Sequence, residues 1–101
     1  MAYYLVRAQP KPEKLPELND QLARDAFLDL RPFGQSITKG LTGARWQDDT
    51  TVIWEEEDYC SPPLAMERAA VLDDYFDAIT VEHVREDEGW ARIADLPKVF
   101  G

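Results

Sequence analysis

Three kinds of side chain in this sequence are suited to chemistry: a histidine, a cysteine and a run of carboxylates. His83 is the only histidine, and an unperturbed imidazole, with a pKa of about 6.5, can act as a general base at neutral pH. The surrounding alternation places it near the end of a predicted strand, where a single histidine is more often structural. If the chain is an enzyme, we expect the catalytic residues to be His83, Tyr59 and Arg7.

The single cysteine, Cys60, directly precedes a predicted helix, and a lone cysteine excludes an intrachain disulfide. A helix N-terminus lowers the pKa of a thiol and makes it a better nucleophile. The acidic residues 55–58 come just before Cys60, and their negative charge acts in the opposite direction. We therefore expect an unreactive cysteine.

The run Glu55-Glu56-Glu57-Asp58 is the densest charged feature of the chain. Paired carboxylates can bind calcium or share a proton. Successive residues of a strand point to opposite faces, however, so the four cannot all converge on one ion. The sequence also lacks the calcium-loop and zinc-site spacings. We expect a solvated, acidic strand end, with neither a metal nor a cofactor.

The hydrophobic pattern alternates between two-residue and helical spacing and divides the chain into structural elements. A helix opened by Ser61-Pro62-Pro63 is expected because serine caps helices and proline suits the first turn. In chain order, the sequence predicts a strand at Tyr3–Ala8, a helix at Pro12–Leu30, a loop at 31–40, a β-hairpin of Leu41–Gln47 and Thr50–Glu57, the helix from Ser61 to Phe76, and a strand at Ala78–Arg85.

This order is β-α-β-β-α-β, which predicts one ferredoxin-like α+β domain over residues 1–101. Right-handed crossovers then place two helices on one face of a four-stranded antiparallel sheet with strand order 4-1-3-2. The tail, residues 90–101, keeps five large apolar side chains. Because a disordered tail rarely does so, we expect it to dock as a short helix on its own sheet or on a partner.

The face of the sheet away from the helices is set by alternation, and several apolar side chains fall on it. An exposed apolar patch of this kind usually marks an interface or a groove. The charged members of this face, with Arg45, could fix the register of a dimer or bind a carboxylate ligand. The candidate ligand or interface residues are Tyr3, Leu5, Ile53, Glu55, Glu82, Val84 and, from the tail, Trp90.

The element order of residues 3–85 resembles that of the dimeric α/β-barrel proteins, which pair two ferredoxin-like sheets face to face. The resemblance covers no signature residue. It implies a homodimer with pockets between the sheet and the helices or near the barrel core. That superfamily includes cofactor-free monooxygenases, isomerases, decarboxylases and haem-degrading enzymes.

The net charge of −9 is concentrated in one part of the chain, since 14 of the 20 acidic residues lie between Asp48 and Glu88. Such a field repels nucleic acids and anionic membranes, and it leaves basic proteins, cations and neutral small organic ligands as partners. No signal peptide or membrane span is recognised, so the expected location is cytoplasmic. We expect a non-catalytic homodimeric binding or interaction module; the alternatives are a cofactor-free monooxygenase or isomerase-like enzyme acting on a small organic substrate, and a binder of basic surfaces.

Overall fold

The computed structural model describes residues 1–101 and contains one antiparallel sheet with helices on both of its faces. None of the helices is long and apolar enough to cross a bilayer. The elements are β1 (Ala2–Pro10), a 3-10 turn (Pro12–Lys14), α1 (Leu15–Ala23), α2 (Gly34–Thr42), β2 (Arg45–Trp46), β3 (Val52–Asp58), α3 (Ala65–Glu67), a π-helical turn (Arg68–Leu72), α4 (Asp73–Tyr75), β4 (Phe76–Val84) and α5 (Glu88–Ile93).

The four strands are arranged in the order β2-β3-β1-β4. Counted from β4, this is the order 4-1-3-2 that the sequence predicts. In the central strand, Val6 lies opposite both Trp54 and Val81. The predicted hairpin forms, but its first strand is only two residues long. Its turn is held by Asp48, whose carboxylate accepts a hydrogen bond from the backbone N–H of Thr51 at 2.8 Å.

The main core lies between one face of this sheet and the crossover helices. Alternate strand residues, among them Val6, Val52 and Trp54, pack against Leu18 of α1 and Ile37 of α2. Trp54 is fully buried, as its place in the alternation predicts. Fully burying an aromatic or large aliphatic side chain contributes roughly 1.5–3 kcal/mol, so this face supplies most of the hydrophobic stabilisation.

The first crossover differs from the prediction of one long helix followed by a loop. Helix α1 ends at Ala23, and a second helix, α2, forms from Gly34 to Thr42, which covers most of the predicted loop and the first two residues of the predicted strand Leu41–Gln47. A Cβ atom at Gly34 would collide with the Leu28 carbonyl oxygen, and one at Gly40 would lie 2.8 Å from Trp54 Cδ1. These glycines therefore allow close packing, and interpreting them as loop signals was wrong.

The second crossover begins later than predicted. It becomes helical at Ala65, and Ser61 caps nothing. The Asp58 carboxylate accepts the backbone N–H of Leu64 instead, at 2.6 Å. The π-helical turn follows, in which Val71 is buried and Ala69 is exposed.

The C-terminal tail docks as a short helix on the sheet of its own chain. Ile93 of α5 packs against Leu5, Ile53 and Val84 on the face opposite the main core. Those three side chains are only 0%, 3% and 5% exposed. The expectation of an open apolar face is therefore wrong, and the argument for a homodimer that depended on it no longer holds.

Candidate functional site

The three candidate catalytic residues do not converge. His83 is exposed, and its ring lies 5.6 Å from that of Tyr4, on the face that carries the main core. Arg7 lies on the opposite face. Tyr59 lies beyond the end of β3, where it is 63% exposed and its hydroxyl donates to the Glu57 carboxylate. The structure therefore gives this trio no common site.

The seven candidate interface residues all lie where the sheet meets the tail or immediately beside it, and Glu55 is the central polar one. Its side chain is 4% exposed. The carboxylate accepts the backbone N–H groups of Asp87, Gly89 and Trp90 at 2.9, 2.7 and 3.3 Å. A Cβ atom on Gly89 would lie 2.8 Å from Glu55 Oε1, so glycine is required for this approach. On the face for which the sequence predicts a ligand or an interface, the contacts seen are with the chain's own tail.

The charged residues predicted to cluster on this face form two separate sets of hydrogen bonds, and each set binds the tail to the sheet. Glu82 accepts hydrogen bonds from Arg92 at 2.6 Å and from Arg7 at 3.1 Å. The Arg45 guanidinium donates to the Leu96 carbonyl oxygen at 2.6 Å, and also to that of Ala94. Because Arg7 and Arg45 are engaged in these hydrogen bonds, they do not form the predicted arginine site for a carboxylate ligand on the sheet face.

The attachment through Glu82 should depend on pH. The hydrogen bonds from Arg92 and Arg7 hold the pKa of Glu82 below its ordinary value of 4.5. A carboxyl whose pKa is lowered on folding contributes stability that is fully present above its unfolded pKa and is lost as the pH falls through the folded pKa. Urea unfolding of the wild type and of Glu82→Gln should therefore differ at pH 7 and converge towards pH 3. An equal difference at both pH values would contradict this assignment.

A cleft of about 690 Å³ opens between α2 and the tail. Lys39, Arg45 and Lys98 contribute cationic side chains to its wall, and Trp90 contributes a half-buried aromatic ring. Lys39 and Lys98 form no ion pair. In a chain of net charge −9, this grouping favours an anionic ligand.

The details of the wall also suit a ligand. Thr38 Oγ1 and Arg45 Nε are buried polar atoms without a hydrogen-bond partner, and both residues line the cleft. Gly43 allows the indole ring of Trp90 to pack closely against the end of α2, because a Cβ atom at this position would lie only 2.7 Å from the ring. The sequence singled out Trp90 and missed Lys39 and Lys98, whose only signal was a mildly basic N-terminal half and a lysine beside Pro97.

A second cluster lies on the opposite side of β3, where a solvated acidic strand end was expected. Glu56, Asp58 and Glu67 are 1%, 3% and 0% exposed, so that expectation is wrong. Trp54 Nε1 donates to Glu56 at 2.9 Å, and Cys60 Sγ lies 3.5 Å from Glu67 Oε1. As alternation predicts, Glu55 and Glu57 point the other way. The half-buried Cys60 completes a group of three carboxylates and one thiol.

The surroundings of this cluster shift the pKa of its four titratable groups in different directions. Burial raises the pKa of Glu56 well above its ordinary value, and it also raises the pKa of Glu67, with Asp58 adding to the effect. Burial would raise the pKa of Asp58 as well, but hydrogen bonds, first that from Leu64 N–H, hold it below the usual value. The backbone of Met66 lowers the pKa of Cys60, yet burial and the carboxylates outweigh it and the net shift is upward.

Comparison with models of protein families, with curated proteins and with solved structures finds no match for this chain. The resemblance to the dimeric α/β-barrel proteins is therefore one of element order alone.

Proposed function

We propose that this protein is a non-catalytic binding protein for a small organic anion with a flat apolar part, and that the ligand occupies the cleft between α2 and the tail. The observation that carries the proposal is that Lys39, Lys98 and Trp90 line the same cleft in an otherwise acidic protein. The volume of the cleft lies within the range of roughly 300–1,000 Å³ found for small-molecule sites.

The division of roles follows from the chemistry of the wall. An ammonium group attracts a carboxylate as a point charge, and Lys39 and Lys98 are not engaged by other ions. The indole of Trp90 offers a rigid apolar surface that gains from stacking or edge contact with a planar group. Asp25 and Asp87 also line the cleft and disfavour dianions, so a monoanion fits best.

A binding role is favoured over catalysis because the cleft wall carries no histidine or cysteine to transfer a proton at neutral pH or attack a substrate. The alternative of a cofactor-free enzyme built on His83, Tyr59 and Arg7 gains no support from their separated positions. Binding of basic proteins through the acidic half stays a prediction.

The fold is best described as a variant of the ferredoxin-like arrangement. The strand order and the two crossovers support this description, whereas the additional helix α2 and the covered second face depart from it. Because the tail occupies the face that dimeric α/β-barrel proteins use for pairing, we infer a monomer in place of the predicted homodimer.

The ligand proposal can be tested with 2-naphthoate and its uncharged analogue 2-naphthamide in titration calorimetry at low salt. We expect naphthoate to bind more tightly than naphthamide. Lys39→Gln or Lys98→Gln should weaken the binding of naphthoate roughly 3- to 10-fold, since losing one exposed charge pair costs about 1 kcal/mol of binding free energy. Trp90→Leu should weaken the binding of both compounds.

Lys14→Gln is the matched control, because it removes the same charge from a lysine that lies outside the cleft and pairs weakly with Glu17. Its affinity for naphthoate should equal that of the wild type. Equal affinity for both compounds, or equal losses in all three lysine variants, would contradict the proposal.

A further inference from the structure

The buried cluster behind β3 holds three carboxyl groups that have no cationic side chain as a partner. Glu56, Asp58 and Glu67 are each at least 97% buried. None of them forms an ion pair with a lysine, an arginine or the histidine. Buried carboxylates are ordinarily paired, protonated or bound to a metal, because an isolated buried charge is very costly.

Two oxygens of this cluster also lack a partner. Glu56 Oε2 and Glu67 Oε2 are buried and accept no hydrogen bond. Two other oxygens of the cluster are held in place, since Trp54 Nε1 donates to Glu56 and Leu64 N–H donates to Asp58. Fixed carboxylates with free buried oxygens are the arrangement that metal sites use to orient their ligands.

The distances suit a transition-metal ion. One ligand atom each from Asp58, Cys60 and Glu67 lies within 4.8 Å of the other two. Metal–ligand bonds of about 2.0–2.3 Å place two ligands of a tetrahedral ion roughly 3.3–3.8 Å apart. The Cys60 Sγ to Glu67 Oε1 distance of 3.5 Å already falls in that interval, so small side-chain movements complete the set.

We propose that Asp58, Cys60 and Glu67 form a binding site for a zinc-class divalent cation, with Glu56 beside it to supply a further oxygen. The thiol decides the class of ion, since a thiolate selects zinc over the oxygen-preferring magnesium and calcium. The ion would neutralise the buried charge and link the end of β3 to α3. This site is independent of the cleft, which lies against α2 and the tail.

The test is a titration of the chelator-treated full chain with ZnCl2 in competition with a chromophoric chelator, and with CoCl2 followed by absorbance. We expect one zinc ion per chain, a thiolate-to-cobalt charge-transfer band, and an increase in thermal midpoint with zinc. Cys60→Ser should abolish the band and weaken zinc binding at least about 10-fold, and Glu67→Gln and Asp58→Asn should each weaken it by a similar factor.

Glu57→Gln is the matched control, because Glu57 belongs to the same acidic run but points to the other face. It should bind zinc as the wild type does. Magnesium at the same concentration should shift neither the midpoint nor the zinc titration. Zinc binding that is absent, or that is equally strong in Cys60→Ser, Glu67→Gln and Glu57→Gln, would overturn the site and identify the carboxyl groups as a proton-sharing cluster.

Discussion

Replacing Glu55 by alanine should lower the free energy of unfolding by about 2–4 kcal/mol, as measured by urea denaturation at pH 7. The substitution removes the acceptor of three backbone N–H groups at the start of α5. A buried N–H left without a partner costs roughly 1–3 kcal/mol, and the Gly89 N–H is buried. Glu55→Gln should cost about 1 kcal/mol, because its amide oxygen still accepts a hydrogen bond but without the charge.

Glu57→Ala provides the comparison for this result. Glu57 lies two residues further along the same strand and the same face, but it is half-buried and bonds only to the exposed Tyr59. Its loss should cost less than about 0.5 kcal/mol, as usual for surface substitutions. A Glu55→Ala variant as stable as Glu57→Ala would show that the tail does not depend on this carboxylate.

Ile93→Asp should detach the tail and cause the protein, which we infer to be a monomer, to self-associate. Ile93 is 3% exposed and lies against Leu5, Ile53 and Val84. Removing a buried isoleucine costs about 2–5 kcal/mol, and a carboxylate cannot replace it in an apolar contact. Detachment would leave the three sheet residues as an exposed apolar patch, which favours association. Sedimentation velocity at micromolar concentration, with urea denaturation, measures both effects.

The control is Ala91→Asp, which adds the same charge to an exposed position of the same helix. This variant and the wild type should both sediment as monomers with similar stability. A wild-type dimer would show that another surface mediates pairing. A stable, monomeric Ile93→Asp variant would show that the tail contributes little to covering the sheet.

The occupied sheet face determines how the function is interpreted. In a paired-sheet protein this face lies between subunits, whereas here α5 fills it. The same tail then forms one wall of the cleft through Trp90 and Lys98. We therefore expect variants that detach the tail, such as Ile93→Asp, to lose naphthoate binding as well, which links the stability of the docked tail to the proposed function.

The positions of β1, β3 and β4 were predictable because alternation over five or more residues is a strong local signal, whereas only Arg45–Trp46 of the predicted strand Leu41–Gln47 forms. Trp54 in the core, the pairing of β2 with β3 and the separation of Glu55 from Glu56 all follow from it. Helix α2 was not predictable in the same way. Its apolar residues Phe33, Ile37 and Leu41 recur at helical spacing, but glycines that serve close packing look identical in sequence to glycines that serve loops.

The two candidate sites, like helix α2, could not be predicted from the sequence. Each depends on residues far apart in the chain: the cleft joins Lys39 to Trp90 and Lys98, and the buried cluster joins Glu56 and Asp58 to Glu67 across a loop. The spacing of such residues matches no local motif, because a connecting segment of any length can bring them together.

The amino-acid sequence by itself determined the order of the strands in the sheet, the two faces of each strand and the existence of an apolar surface that needs a cover, since these depend on side-chain periodicity. The tertiary structure alone decided what covers that surface and which charges become buried. Both outcomes depend on how the tail and the second crossover pack against the sheet, and packing is a property of atoms that the chain brings together only when it folds.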